Sequence, residues 1–173
     1  MNDTIRNIKT RRSVKKYKSD MVPEELINEI VSAGMCAPSG MNRQSPIIIK
    51  VTNKEVRDKL SRLNAKILGN ENIDPFYNAP VVLIVLADKN ISTYLYDGSL
   101  VIGNMLLAAH SLGLGACWIH RAKEMFESVE GKEILSSLGI GDNYEGIGNC
   151  IIGYSDEERN APVIKDNYVY EIK

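Results

Sequence analysis

Three stretches gather the side chains able to do chemistry. The first is Arg11-Arg12-Ser13, with Lys15 two residues on. Guanidinium forks beside a hydroxyl suit the recognition of phosphate oxygens. The competing reading is a solvated basic turn, because charge runs usually face water. The second is Ala37-Pro38-Ser39-Gly40-Met41-Asn42-Arg43-Gln44. Small residues let backbone approach a ligand, and Asn42 and Gln44 offer paired donors and acceptors. The same residue types also favour a plain helix-to-strand connection. The third is Gly113-Leu114-Gly115-Ala116-Cys117-Trp118-Ile119-His120-Arg121, with the only Trp and one of two His. It fits neither the dinucleotide G-x-G-x-x-G opening a helix nor a phosphate-binding P-loop. Its plain reading is a helix stop feeding a core strand.

Protein-borne catalysis finds little support. Cys117 and His120 are three apart, which in a strand sends them to opposite faces. A Ser–His–acid triad would need His110 or His120. No G-x-S-x-G elbow exists, and His110 falls in an apolar helix and reads as a core histidine. Cys36, Cys117, Cys150 and His120 lack metal-ligand spacing. No catalytic residue and no metal site is therefore assigned. If the chain is an enzyme, a cofactor carries the chemistry.

The elements that must position these stretches read as follows. Asp3 caps a short helix carrying Ile5 and Ile8. Pro23 opens a second, with Leu26, Ile27, Ile30 and Val31 on one face, ending before Pro38. Pro46 to Val51 is a strand, and Asn53 caps a helix striped by Val56, Leu60, Leu63 and Ile67. Gly69 to Asn78 is a polar, mobile loop. Val81 to Ala87, apolar throughout, suits a strand covered on both sides. Ser92 to Leu112 is a long helix apolar nearly all round, hence buried in a core or at a subunit contact. Gly113 and Gly115 stop it. Ala116 to Ile119 is a short strand. A helix pair spans about 123–138, broken around Gly131, and Ile147 to Gly153 is a further strand. The polar tail ends in the strand-like Tyr168-Val169-Tyr170. Helices alternating with three or four strands give an α+β or α/β layer.

The 173 residues make one domain at roughly 100–200 residues per domain. Lys plus Arg number 21 and Asp plus Glu 22, a net charge of −1 that lacks the basic excess of nucleic-acid binders. The longest apolar run falls far below the ~20 residues of a membrane span. Three widely spaced cysteines and no apolar segment behind the basic N-terminus point to a reducing cytoplasm.

The three stretches, in this order, resemble the nitroreductase family of FMN-dependent NAD(P)H oxidoreductases. Arg11-Arg12-Ser13-Val14-Lys15-Lys16-Tyr17 is similar to its opening basic motif. Ala37 to Gln44 is similar to its second. Asp97-Gly98 through Asn104 to Ile119 resembles its central helix and following strand, and Ile152-Gly153-Tyr154 its late Gly-Tyr element. The likeness covers residues 5 to about 160 of a chain short for the family. It implies an α+β nitroreductase-like fold, with a mixed or antiparallel sheet flanked by helices, in an intertwined homodimer. Two FMN sites would sit at the subunit interface. The tail around Tyr168-Val169-Tyr170 would reach across to the partner.

Carried over by position, Arg11, Arg12 and Ser13 would hold the FMN phosphate and ribityl chain. Lys15 would lie at the pyrimidine edge, where a cation stabilises the charge of reduced flavin. Pro38, Ser39, Gly40 and Asn42, with Gln44 in the same motif, would come from the other subunit. Backbone at Trp118, Ile119 and His120 would line the ring, and Arg121 would reach toward the phosphate side. The family also often carries an aromatic after its second motif and a basic pair after Gly-Tyr. Here Ser45-Pro46 follows Gln44, and only Arg159 and Lys165 are available for the phosphate. The implied activity is ping-pong hydride transfer, from NADH or NADPH through flavin N5 to a small acceptor such as a nitroaromatic or quinone. The alternative is a flavin-binding sensor or carrier without turnover.

Overall fold

The computed structural model describes all 173 residues. Four strands, β1 (Pro46–Val51), β2 (Val81–Asp88), β3 (Gly115–Ile119) and β4 (Tyr144–Gly153), form one sheet in the order β1-β2-β4-β3. Every strand pair is antiparallel, so the sheet is antiparallel rather than mixed. Successive β2 side chains go to opposite faces. Val82, Ile84 and Leu86 enter one core, and Val81, Leu83, Val85 and Ala87 enter the other. All seven are fully buried, which is why this run has no polar alternation.

Six α-helices cover the two faces: α1 (Asp3–Thr10), α2 (Glu24–Met35), α3 (Lys54–Leu68), α4 (Tyr94–Ser111), α5 (Ala122–Glu127) and α6 (Val129–Ser137). Leu60 and Leu63 of α3 join Met125, Phe126 and Leu135 over the first face. Ile27 and Ile30 of α2 join Val101, Ile102, Met105 and Ala109 of α4 over the second. Burying each large aliphatic side chain contributes about 1.5–3 kcal/mol. No helix is long and apolar enough to cross a membrane.

Four readings shift. Asn2 caps α1 in place of Asp3, its Oδ1 accepting from the Ile5 N–H at 2.9 Å. The helix pair breaks at Ser128, whose hydroxyl accepts from Gly131 N and donates to Met125 O. Gly131 lies inside α6, where a Cβ would stand 2.0 Å from the Met125 carbonyl oxygen. Its small size serves close approach, not a chain break. β4 begins at Tyr144 because Tyr144, Glu145 and Gly146 pair with Asp88, Ala87 and Leu86 despite their non-apolar character. Finally, Tyr168-Val169-Tyr170 forms no strand within the chain, and its side chains stand exposed.

The segment 69–78 is a tied structure rather than a free loop. Phe76 is fully buried. The Asp74 carboxylate accepts from Arg57, from the Ser61 hydroxyl, and from the N–H groups of Phe76 and Asn78. Burial pushes the Asp74 carboxyl up, but the hydrogen bonds from Ser61, Arg57 and Asn78 outweigh it and leave it below the usual value. A carboxyl depressed in the folded state stabilises fully above about pH 3.9, and that contribution fades as pH falls through the folded value. Asp74→Asn is therefore expected to cost about 2–3 kcal/mol at pH 7. Thermal unfolding at several pH values checks this: the gap between wild type and variant must narrow below about pH 4.

Candidate functional site

After α1 the chain runs along the edge of β3. Val14 N–H donates to Ala116 O at 3.1 Å, and Lys18 N–H donates to Tyr154 O at 2.9 Å. Val14 and Tyr17 are buried, and the Tyr17 hydroxyl donates to Val14 O at 2.7 Å. Fixing these two inward leaves Ser13 and Lys15 outward and exposed. The approach is close: a Cβ on Gly115 would stand 2.9 Å from three Val14 side-chain carbons. Gly115 thus belongs to the site by letting this segment sit against the sheet.

A cavity of about 300 Å³ opens here, lined by Thr10, Arg11, Arg12, His110, Arg159 and the backbone of 113–116. Its two neighbouring arginines differ. Arg12 gives Nε to Asn160 O at 3.0 Å, Nη2 to Lys9 O at 3.0 Å and Nη1 to Arg11 O. It is spent on backbone carbonyls and clasps the tail. Arg11 Nη1 is buried and has no hydrogen-bond partner. A buried guanidinium donor without an acceptor is costly, and an anion in this cavity would satisfy it. Arg159, exposed, pairs with Glu157 at 2.5 Å. Burial pushes the Glu157 carboxyl up, yet the Lys15 N–H and Arg159 hold it below its ordinary range.

His110 is not a core histidine. It lies half-buried in the last turn of α4, with Nε2 at 2.9 Å from Thr10 Oγ1, and lines this same cavity. Toward the other end of the segment, Lys15 Nζ lies 5.8 Å from the centre of the Tyr77 ring. Tyr77 and Asn78 hold φ of 53° and 58°, left-handed values that the Asp74 cluster maintains.

The far end of β3 is fixed by two buried amides the sequence reading passed over. Asn64 donates to His120 O at 2.9 Å and accepts from Arg121 Nε at 3.0 Å. Asn149 donates to Ile119 O at 3.2 Å. The signal available was an Asn inside each apolar pattern. Ile119 is buried, His120 is exposed, and Arg121, with φ of 73°, is held by Asn64 and does not line the arginine pocket. The Trp118 indole packs into the α2–α4 core.

The second stretch lies elsewhere. Gly40 N–H donates to Asp97 Oδ1 at 3.0 Å, and the hydroxyls of Ser45 and Thr93 donate to Asp97 Oδ2. Asp97 is buried in the first turn of α4, and its anchoring role was not read from the sequence. Ser39 Oγ accepts from Gln44 N, and Gln44 Nε2 donates to Asn42 Oδ1. Met41, Asn42 and Gln44 all take positive φ, which presents Asn42 and Gln44 as exposed side chains. Pro38 is exposed as well. From Asp97 to His110 the helix rises about 20 Å. One chain therefore brings Arg11, Arg12, Ser13, Lys15 and Arg159 together along β3, but leaves Pro38, Ser39, Gly40, Asn42 and Gln44 at the opposite end of α4.

A larger cavity, about 410 Å³, is lined by Lys89, Lys123, Phe126, Tyr144 and Glu145 among others, and contains none of these residues. Its Lys123 is already paired with Glu145 at 3.0 Å. The cysteines are free, with Cys117 and Cys150 buried. Burial pushes the Cys150 thiol up to about 12, far from a reactive thiolate.

With this arrangement in view, residues 8–154 match the model of the nitroreductase family. The chain belongs to that family. A protein of Methanothermobacter thermautotrophicus, named as a proposed NADH dehydrogenase/NAD(P)H nitroreductase, is 41% identical over 120 residues. That alignment takes in 67% of this chain and 60% of the relative's own length. A protein of Archaeoglobus fulgidus with the same name is 32% identical over 176 residues, covering 97% of this chain and 94% of that protein. Among solved structures, a nitroreductase with bound FMN from Bacteroides fragilis is 28% identical. It superposes with a TM-score of 0.91 and covers all of both chains. The nitroreductase fold read from the motifs is the fold found.

Proposed function

We propose that this nitroreductase-family chain is an FMN-dependent NAD(P)H oxidoreductase that works as a homodimer on a small electron acceptor. The observation that carries the reading is the buried, partnerless Arg11 Nη1 in a cavity of about 300 Å³. The residues present fit FMN: Arg11 and Arg159 supply cationic donors for its phosphate, and the exposed Ser13 hydroxyl stands between the phosphate end and Lys15. Lys15 supplies positive charge at the ring end, with the backbone of 118–120 beyond it. The chemistry FMN supplies when bound is two-electron transfer, a hydride in from NADH or NADPH and a hydride out to an acceptor such as a nitroaromatic or a quinone.

The protein's part is binding and orientation, and no side chain of the site is asked to move a proton in the hydride transfers. Arg11 is prepaid in desolvation, so an entering phosphate meets an oriented donor rather than a hydrated one. Asn64 and Asn149 fix the turn after Ile119, which keeps that backbone in place for an approaching ring. The second stretch joins the site from a partner subunit, because within one chain it stands about 20 Å away along α4. Ile5, Ile8, Leu95, Tyr96 and Leu100 are exposed apolar residues on α1 and α4 that a second copy would cover, and the exposed tail aromatics would lie across it.

The test is an absorption spectrum of the purified protein, repeated without oxygen after adding NADH or NADPH. Flavin bands that bleach with either nicotinamide are expected, and the preferred one is read in the same cuvette. Bands that persist with both would favour a sensor or carrier. Absence of bands after reconstitution with FMN would sink the flavin reading.

A further inference from the structure

The last turn of α4 meets the arginine pocket with a histidine whose proton is accounted for. Thr10 Oγ1 stands 2.8 Å from the Arg6 carbonyl and 2.9 Å from His110 Nε2. A hydroxyl has one hydrogen to donate, and the carbonyl can only accept it. Thr10 therefore accepts from His110, and Nε2 carries the hydrogen. Nδ1 is left as the position for a second proton, and it makes no hydrogen bond within the chain.

We infer that His110 is a proton-linked cation of the phosphate pocket: its ring takes up a proton at Nδ1 as a phosphate dianion enters beside Arg11. The inference rests on the pocket being the phosphate end of the FMN site. The charged groups sharing the cavity with the ring are Arg11 and Arg12 after α1, and Glu157 and Arg159 from the tail. The last turn of α4 adds no other charge. In the free chain, burial, Arg11 and Arg12 hold the ring below the ordinary histidine value of 6.5. Two negative charges placed among those arginines reverse the balance and favour the protonated ring. The bound ring then titrates higher than the free ring. Linked affinity is complete below the free value and is lost as pH rises through the bound value. The phosphate ester's own second proton, released near pH 6, acts in the opposite direction. Only a comparison with a variant isolates the histidine.

FMN affinity is measured by flavin fluorescence from pH 5.5 to 8.5 for wild type and His110→Gln. Glutamine keeps an N–H for Thr10 and favours the helix. The variant-to-wild-type ratio of Kd is expected near one at pH 8.5. Toward pH 5.5 it is expected to rise, up to a limit of about tenfold for each pH unit by which phosphate raises the ring. Riboflavin, which lacks the phosphate, should give a flat ratio. A second measurement needs no variant fold: ring-nitrogen NMR of wild type, with only two histidines to distinguish, titrated with and without inorganic phosphate. An upward shift of the His110 titration is expected. A flat FMN ratio with binding that still depends on Arg11, or a His110 titration unmoved by phosphate, overturns the proton linkage. FMN binding indifferent to Arg11→Ala overturns the pocket assignment and the linkage with it.

Discussion

Replacing Arg11 with alanine is expected to weaken FMN binding by about ten- to a hundredfold, while Arg12→Ala weakens it several-fold at most. The two residues are adjacent and chemically identical, so the contrast is a demanding one. It follows from where their donors go. All three Arg12 nitrogens face backbone carbonyls, those of Lys9, Arg11 and Asn160. Removing them frees the tail and lowers stability. Arg11 makes no such bonds, and its Nη1 is buried without an acceptor. A hydrogen bond to a charged group contributes about 1.5–3 kcal/mol, and every 1.4 kcal/mol is tenfold in affinity. Because the free protein already bears the desolvation of Arg11, the variant's unfolding temperature should hold or rise even as FMN affinity falls. Fluorescence titration with FMN and riboflavin checks the assignment: the Arg11 effect must vanish for riboflavin. Equal losses in the two variants would place the phosphate elsewhere.

The difference between these arginines marks where sequence reading stops. Arg11-Arg12-Ser13 announces a phosphate-binding composition, but which fork is free depends on carbonyls at Lys9 and Asn160, and the latter lies 148 residues away. Periodicity located α2, α3 and the central strand because it reports burial, and this sheet buries both faces. It failed where burial was not the cause. The start of β4 is held by backbone pairing, and Gly131 by a carbonyl contact. His110 was misread for a related reason. Its neighbours in sequence are apolar, while its neighbours in space are Thr10 and two arginines. Segment 69–78 looks mobile from its composition, yet Asp74 collects two side-chain donors and two backbone N–H groups there. Nothing local in Asn70 to Asn78 predicts that Arg57, a full helix earlier, turns to meet it. Asn64, Asn149 and Asp97 are buried polar residues, and each holds a turn or loop of the site.

Gly103→Glu is expected to break the protein into monomers and abolish FMN binding, though it touches neither the arginine pocket nor the core. In the single chain the site of substitution is open: a Cβ at Gly103 meets nothing within 4 Å. Glutamate also favours a helix by several tenths of a kcal/mol over glycine. An isolated chain should therefore tolerate or welcome the change. Yet Leu100, one turn earlier, is 47% exposed, and Tyr96, a turn before that, is 69% exposed. A helix row of Tyr, Leu and a bare glycine is a surface shaped for close approach by another helix. If a second copy covers it, a carboxylate there is buried without a partner. Leaving such a charge uncompensated costs about 3–5 kcal/mol, or more than a hundredfold in dimer affinity. On the proposed reading the flavin site goes with the dimer, since within one chain Ser39, Gly40 and Asn42 stand about 20 Å from the arginine pocket along α4. Sedimentation velocity beside FMN titration reads both consequences in one sample. Dissociation with a raised monomer unfolding temperature and lost FMN binding is the expected result. Monomers that bind FMN normally would mean that one chain closes the site alone. A dimer that survives with FMN bound would mean that this face of α4 looks into solvent.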